Sequence, residues 1–140
     1  MLNTALRFMS ECERAEIKYK ETRETEDGAS IVVCGFNGKH NARYDVMIIF
    51  DKSEKSAGLR VFQLAAVDEE KRDEMLRVIN RINSAYRWIK LTMNDEGQVA
   101  AEADAVITQE TVGPVCIEVM LRLVNILNDV YPDIMRAMWA

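Results

Sequence analysis

The apolar residues of this chain change period several times, and each change predicts an element. Leu2, Leu6, Met9 and Cys12 recur at helical spacing, which predicts a helix over residues 3–14. Ile17, Tyr19 and Glu21 then alternate with Lys18, Lys20 and Thr22, a charged strand suited to a sheet edge, where lysines discourage unwanted pairing. TEDG at residues 25–28 reads as a turn. IVVCGF and ARYDVMIIFD are β-branched and aromatic, and Asn37-Gly38 between them favours a two-residue hairpin. That loop would set Phe36 opposite Lys39, Val33 opposite Ala42 and Ile31 opposite Tyr44. Ile31, Val33, Tyr44, Val46, Ile48 and Phe50 would then share one face. Val32, Cys34, Phe36, Met47 and Ile49 make the other face apolar too, so the pattern predicts a sheet covered on both sides somewhere along its length.

Residues 51–58 form a polar connection, and LRVFQLA is the next strand. Asp68 suits a helix N-cap, with Glu69 and Glu70 near the positive end of the dipole. This helix should run to about Tyr86, with Met75, Val78, Ile79, Ile82 and Tyr86 on one face. Two strands follow around Asn94–Gln98. A three-residue loop, Asp95-Glu96-Gly97, gives Gly97 the left-handed position and fixes the register. Met93 then meets Val99, Leu91 meets Ala101 and Ile89 meets Ala103, all facing inward. Lys90 meets Glu102 on the outward face, an opposite-charge pair worth about 0.2–1 kcal/mol.

The last helix spans residues 112–131, with Thr111 as its cap and Pro114 tolerable in the first turn; Pro132 should kink it or restart it before DIMRAMWA. On a helical projection its apolar residues fill an arc of roughly 180°, where one sheet needs little more than about 100°. Either the helix is wedged between its own sheet and another helix, or part of the arc docks on a second copy or a partner. Met120, Val124, Ile117, Leu121 and Tyr131 are the candidate partner or dimer surface. Met75, Met120, Met135 and Met138 lean toward the second reading, since a flexible thioether suits adaptable contacts.

At 140 residues the expectation is one α+β domain over 1–140, an antiparallel sheet flanked by helices in the order α-β-β-β-β-α-β-β-α. The net charge of −5 argues against nucleic acid or an anionic membrane as the main partner. No apolar run approaches the ~20 residues of a membrane span. Met1 leads into an amphipathic pattern rather than the apolar core of a secretory leader. Cys12, Cys34 and Cys116 are odd in number and far apart, which fits free thiols and a cytoplasmic setting.

Sites for chemistry are hard to find. Asp95, Glu96, Glu102 and Asp104 lack the spacing of a calcium loop, and the last two alternate with alanines and should face water. His40, the single histidine, stands at a hairpin tip without a triad partner or metal-ligand spacing. Gly35–His40 is neither long enough for a phosphate loop nor followed by a helix. Arg72, Arg77, Arg81 and Arg87 interleave with acids and read as a solvated face with pairs such as Asp73–Arg77. The pattern therefore names no catalytic, cofactor-binding or metal-binding residue.

RVINRINSAYRW, EGQVAAEADAVI and TVGPVCIEVMLRLVNILNDVYPDIM, with an IN-x-IN signature at Ile79-Asn80 and Ile82-Asn83, resemble the YbjN-domain family of bacterial sensory transduction regulators, most clearly over residues 68–134. The resemblance implies a fold similar to that of the type III secretion chaperones, a homodimer, and a non-enzymatic binding or regulatory role without cofactors. The leading expectation is a protein-binding module acting as a homodimer. The alternative is a small-ligand sensor with Tyr44, Trp88 or Tyr131 lining its pocket; an enzyme is the weakest reading.

Overall fold

The expected order of elements is the observed one. The computed structural model describes residues 1–139, and Ala140, the last residue of DIMRAMWA, lies outside the described residues. The chain runs α1 (Asn3–Arg14), β1 (Tyr19–Glu24), β2 (Ser30–Asn37), β3 (Arg43–Phe50), β4 (Ser56–Ala66), α2 (Arg72–Ala85), β5 (Lys90–Met93), β6 (Gln98–Val106) and α3 (Val112–Trp139). The strands form one antiparallel sheet in the order β1-β2-β3-β4-β6-β5. The charged strand β1 is an edge, as its composition predicts.

All three helices lie on one face. Phe8 and Cys12 of α1, Met75 and Ile82 of α2, and Cys116, Met120 and Leu127 of α3 join Val32, Cys34, Val46, Ile48, Phe50, Leu59 and Ala101 of the sheet in one core. The alternation of β6, QVAAEADAV, puts Val99, Ala101, Ala103 and Ala105 beneath the helices. Small alanines there let α3 approach closely.

The expected two-sided cover is corrected here. Ile31 and Val33 are buried yet stand apart from the main core, on the helix-free face. Their flanking partners are Arg23 and Glu21 on β1 and Ile49 and Met47 on β3, so neighbouring side chains cover them rather than a second layer.

The β2–β3 register also differs from expectation. Asn37 pairs with Arg43, Phe36 with Tyr44, Cys34 with Val46 and Val32 with Ile48. The loop spans residues 38–42, closed by Gly38 N–H to Ala42 O at 2.8 Å, with His40 and Asn41 left-handed. The displacement is an odd number of residues, so Val32 and Cys34, not Ile31 and Val33, join Tyr44, Val46, Ile48 and Phe50. Gly38 serves close approach: a Cβ there would strike the Tyr44 ring and stand 2.7 Å from Asn128 Oδ1.

The 94–97 turn is as expected. Gly97 is left-handed at φ +79°, Asn94 N–H donates to Gln98 O at 3.0 Å, and Lys90 faces Glu102, Leu91 Ala101 and Met93 Val99. Regular pairing begins at Lys90, so Ile89 is buried but lies before the ladder. The carboxylate of Glu102 goes to Arg60 of β4 at 3.1 Å rather than to Lys90, because Arg60 also donates to Ala103 O at 2.9 Å and reaches Asp104 at 3.0 Å. That fork anchors the guanidinium between strands.

Helix ends depart from expectation at Asp68 and Pro132, and the start of α1 is capped from a distance. Asp68 makes no cap hydrogen bond; a 3₁₀ turn, Glu69–Lys71, leads into α2 instead. Helix α3 runs unbroken through Pro132 to Trp139, its packing outweighing the lost amide bond. At α1, Leu2 is no capping residue, and distant side chains take its place. Leu2 N–H donates to Ser30 Oγ at 2.9 Å and Thr4 N–H to Glu54 Oε1 at 2.9 Å, so the β3–β4 turn caps a helix fifty residues earlier.

Candidate functional site

The chain turns sharply between α2 and β5, and the residues that make the turn also make a cleft. Asn83, in the last turn of α2, works as a fork on the edge strand. Its Oδ1 accepts from Leu91 N–H at 2.8 Å and its Nδ2 donates to Leu91 O at 3.1 Å. Both outward backbone groups of Leu91 are thus satisfied, and the β5 edge is closed at that residue. Ile79 and Ile82 of the same signature are buried in the core.

From Asn83 the chain must deliver Tyr86, half-buried, and Ile89, buried, to the same side within a few residues. Trp88 takes the strain. It is left-handed at φ +78°, unusual for a bulky aromatic and costing about 1–3 kcal/mol. Its indole stands outward, 58% exposed. The Arg122 guanidinium of α3 lies over the ring at 5.2 Å from its centroid, while Nη2 bonds Glu118 at 3.0 Å. Ala85, Tyr86, Arg87, Trp88, Arg122, Asn125 and Ile126 line an open cleft of about 460 Å³. Two aromatic rings, two arginines and an aliphatic side chain thus converge in a chain whose net charge is −5.

The five residues of α3 singled out from the sequence divide. Met120 is fully enclosed and Val124 nearly so, because α3 lies between α1 and α2 across the sheet. Those two are core, and the wedged reading accounts for most of the wide arc. Leu121 is 41% exposed and directly precedes Arg122 of the cleft; Ile117 and Tyr131 are half-buried. Of the three aromatics proposed for a ligand pocket, only Trp88 lines the cleft. Tyr44 and Tyr131 pack edge to face at 6.3 Å, away from it.

His40 is exposed but not idle. Its ring stacks on Tyr131 at 6.3 Å, and Lys39 N–H donates to Asn128 Oδ1 at 2.8 Å, so the hairpin tip docks on α3. On α2, Arg77 pairs with Glu74 at 3.1 Å rather than Asp73, and Arg72 donates to Asn94 O at 3.1 Å. Cys12, Cys34 and Cys116, far apart in sequence, are all buried in the common core as free thiols. Among the described residues no group of three or more His, Cys, Asp and Glu is placed to hold a metal ion, and no helix is long and apolar enough to cross a membrane.

A one-sided antiparallel sheet with three helices defines the class as α+β. A family model described as "YbjN: Putative bacterial sensory transduction regulator" matches residues 11–133, and the chain belongs to that family. The fold is similar to "Crystal structure of YbjN, a putative transcription regulator from E. coli", at TM-score 0.60 and 10% identity over 95% of this chain and 93% of that one. A looser likeness, TM-score 0.48 and 13% identity over 94% and 97%, is to the "heterodimeric complex ExoU-SpcU from the type III secretion system (T3SS) of Pseudomonas aeruginosa"; nothing about this chain follows from it. No curated protein matches the chain.

Proposed function

We propose that the chain is a non-catalytic regulatory module, acting as one domain, that works as a homodimer and binds another protein at the Trp88–Arg122 cleft. The observation that carries partner binding is the left-handed, outward Trp88 held beneath a guanidinium. Strain of this kind persists where surrounding structure over-determines it, and it concentrates at ligand clamps. Charge selects the occupant. Arg87 and Arg122 beside Tyr86, Trp88 and Ile126 suit a partner segment that offers a carboxylate next to an apolar side chain. Leu121, exposed beside Arg122, extends the apolar part of that surface.

The test is an arrayed peptide library probed with the labelled full chain. Peptides pairing Asp or Glu with Leu or Phe should be enriched. Trp88→Ala and Arg122→Glu should each weaken the selected peptides by about tenfold or more. Enriched peptides that bind Trp88→Ala as well as the parent would remove the cleft from consideration. The cleft's volume of about 460 Å³ also suits a small ligand. A thermal-shift screen against aromatic carboxylates separates that reading: a true ligand at a hundredfold excess over its Kd adds about 2.7 kcal/mol of stability, which Trp88→Ala should abolish.

A further inference from the structure

We infer that the second copy docks on the free edge of β1, antiparallel, with Thr22 on the two-fold axis, joining two six-stranded sheets edge to edge. The inference rests on the homodimer reading above and names its surface and register.

Hydrogen-bond parity comes first. Thr25 N–H donates inward to Ala29 O at 2.9 Å. Strand alternation then turns the amides of Arg23 and Glu21 toward β2, and those of Thr22 and Glu24 toward solvent. Two copies meeting at Thr22 would exchange both hydrogen bonds of that residue, the isologous arrangement a two-fold demands.

Charge then selects the register. With Thr22 opposite Thr22, Glu21 of each copy faces Arg23 of the other, on the helix-free side where both side chains are exposed. Within one copy these two already lie 3.5 Å apart, so the junction would hold a four-member network of alternating sign. A slip by one residue sets Lys20 against Arg23, or Glu24 against Glu21. A slip by two sets Glu21 against Glu21, or Arg23 against Arg23. Among alignments within two residues of this one, the charges that discourage casual pairing of this edge therefore favour Thr22 on the axis.

The helical layer agrees independently. Leu2 and Met9, half-buried, and Leu6, 46% exposed, form an apolar stripe on α1 outside its buried set of Thr4, Ala5, Phe8 and Cys12. Arg7 reaches Gln109 O near the start of α3, on the opposite flank, so the Leu2–Leu6–Met9 stripe looks past β1. The N-terminus of α1 is tied to Glu24 by the Met1 ammonium, and Glu13 near its end accepts from Tyr19 OH at 2.9 Å. The two ties set Leu6 and Met9 level with the middle of β1. A two-fold at Thr22 brings stripe to stripe.

Sedimentation equilibrium on the full chain tests this. The parent should be a dimer at micromolar concentration. Thr22→Pro, which removes the outward amide without touching the β2 ladder, should raise the dissociation constant at least about tenfold. Glu21→Arg alone and Arg23→Glu alone should each do the same, and their equimolar mixture should recover the dimer, one copy then carrying two cations and the other two anions. Circular dichroism confirms that each variant is folded. A monomeric parent would defeat both this interface and the homodimer reading. A dimer indifferent to all three substitutions would leave the homodimer reading standing and overturn this interface.

Discussion

Tyr44 shows how much one side chain can conflict with its surroundings. It is 1% exposed, and its hydroxyl has no hydrogen-bond partner among the described residues. Burial, and secondarily the neighbouring Tyr131, pushes the phenol up from 10 to about 12. An orphaned buried hydroxyl costs about 1–3 kcal/mol, so Tyr44→Phe should stabilise the protein at neutral pH by about 1 kcal/mol in urea denaturation. The pH dependence has a definite sign. The unfolded phenol ionises near 10 while the folded one keeps its proton to about 12, so the contribution present below pH 10 is lost as pH rises toward 12. The parent should therefore lose stability relative to Tyr44→Phe across that window. Parallel curves would mean that the phenol ionises as readily in the folded protein as in the unfolded chain, and so that water reaches the hydroxyl.

Between elements, the decisive contacts are those a local pattern encodes only when they are local. The Asn94–Gln98 turn is set by its own residues: Asn94 Oδ1 accepts from Glu96 N–H at 3.1 Å and Gln98 N–H at 2.9 Å, and Gly97 takes the left-handed position. Its register was legible because the contacts from outside, Val67 N–H to Gly97 O at 3.0 Å and Arg72 to Asn94 O at 3.1 Å, act in the same direction as these local bonds. Asn37-Gly38 looked equally clear, yet its register is governed by Tyr44 and Asn128, which leave no room for a side chain at Gly38. The candidate site shows the same divide. Trp88 stood out as an aromatic, but its left-handed backbone and its stacking with Arg122, thirty-four residues later, have no local signature. Asn83 was visible as part of the IN-x-IN signature, though its role on Leu91 was not. Asn83→Ala removes two hydrogen bonds and leaves the outward N–H and C=O of Leu91 unpaired, so it should cost about 1–3 kcal/mol and speed amide exchange of Leu91 more than that of Val46. Unchanged exchange at Leu91 would show that water replaces the fork without loss.

At the scale of the whole molecule, the three cysteines report whether the helical layer and the sheet come apart together. Cys12 lies on α1, Cys34 on β2 and Cys116 on α3, and each is fully enclosed in the core. Burial pushes Cys116 up to about 12, and the hydrogen bond to Cys12 together with burial pushes Cys34 higher still, so neither is a reactive thiolate at neutral pH. A thiol reagent can reach them only through opening. The core joins α1, α2, α3 and the sheet in one cluster, and segments distant in sequence are tied by Glu54 to Thr4 and by Arg7 to Gln109. Such cross-links favour a single cooperative opening. All three thiols should then be labelled at one rate, and that rate should rise with urea along the slope of global unfolding from zero denaturant. Cys12 reacting faster, with a rate flat in low urea, would mean instead that α1 detaches alone. In that case the β1 edge and its flanking helix would be a movable part of the fold, and the stripe of Leu2, Leu6 and Met9 would be presented only when α1 is seated.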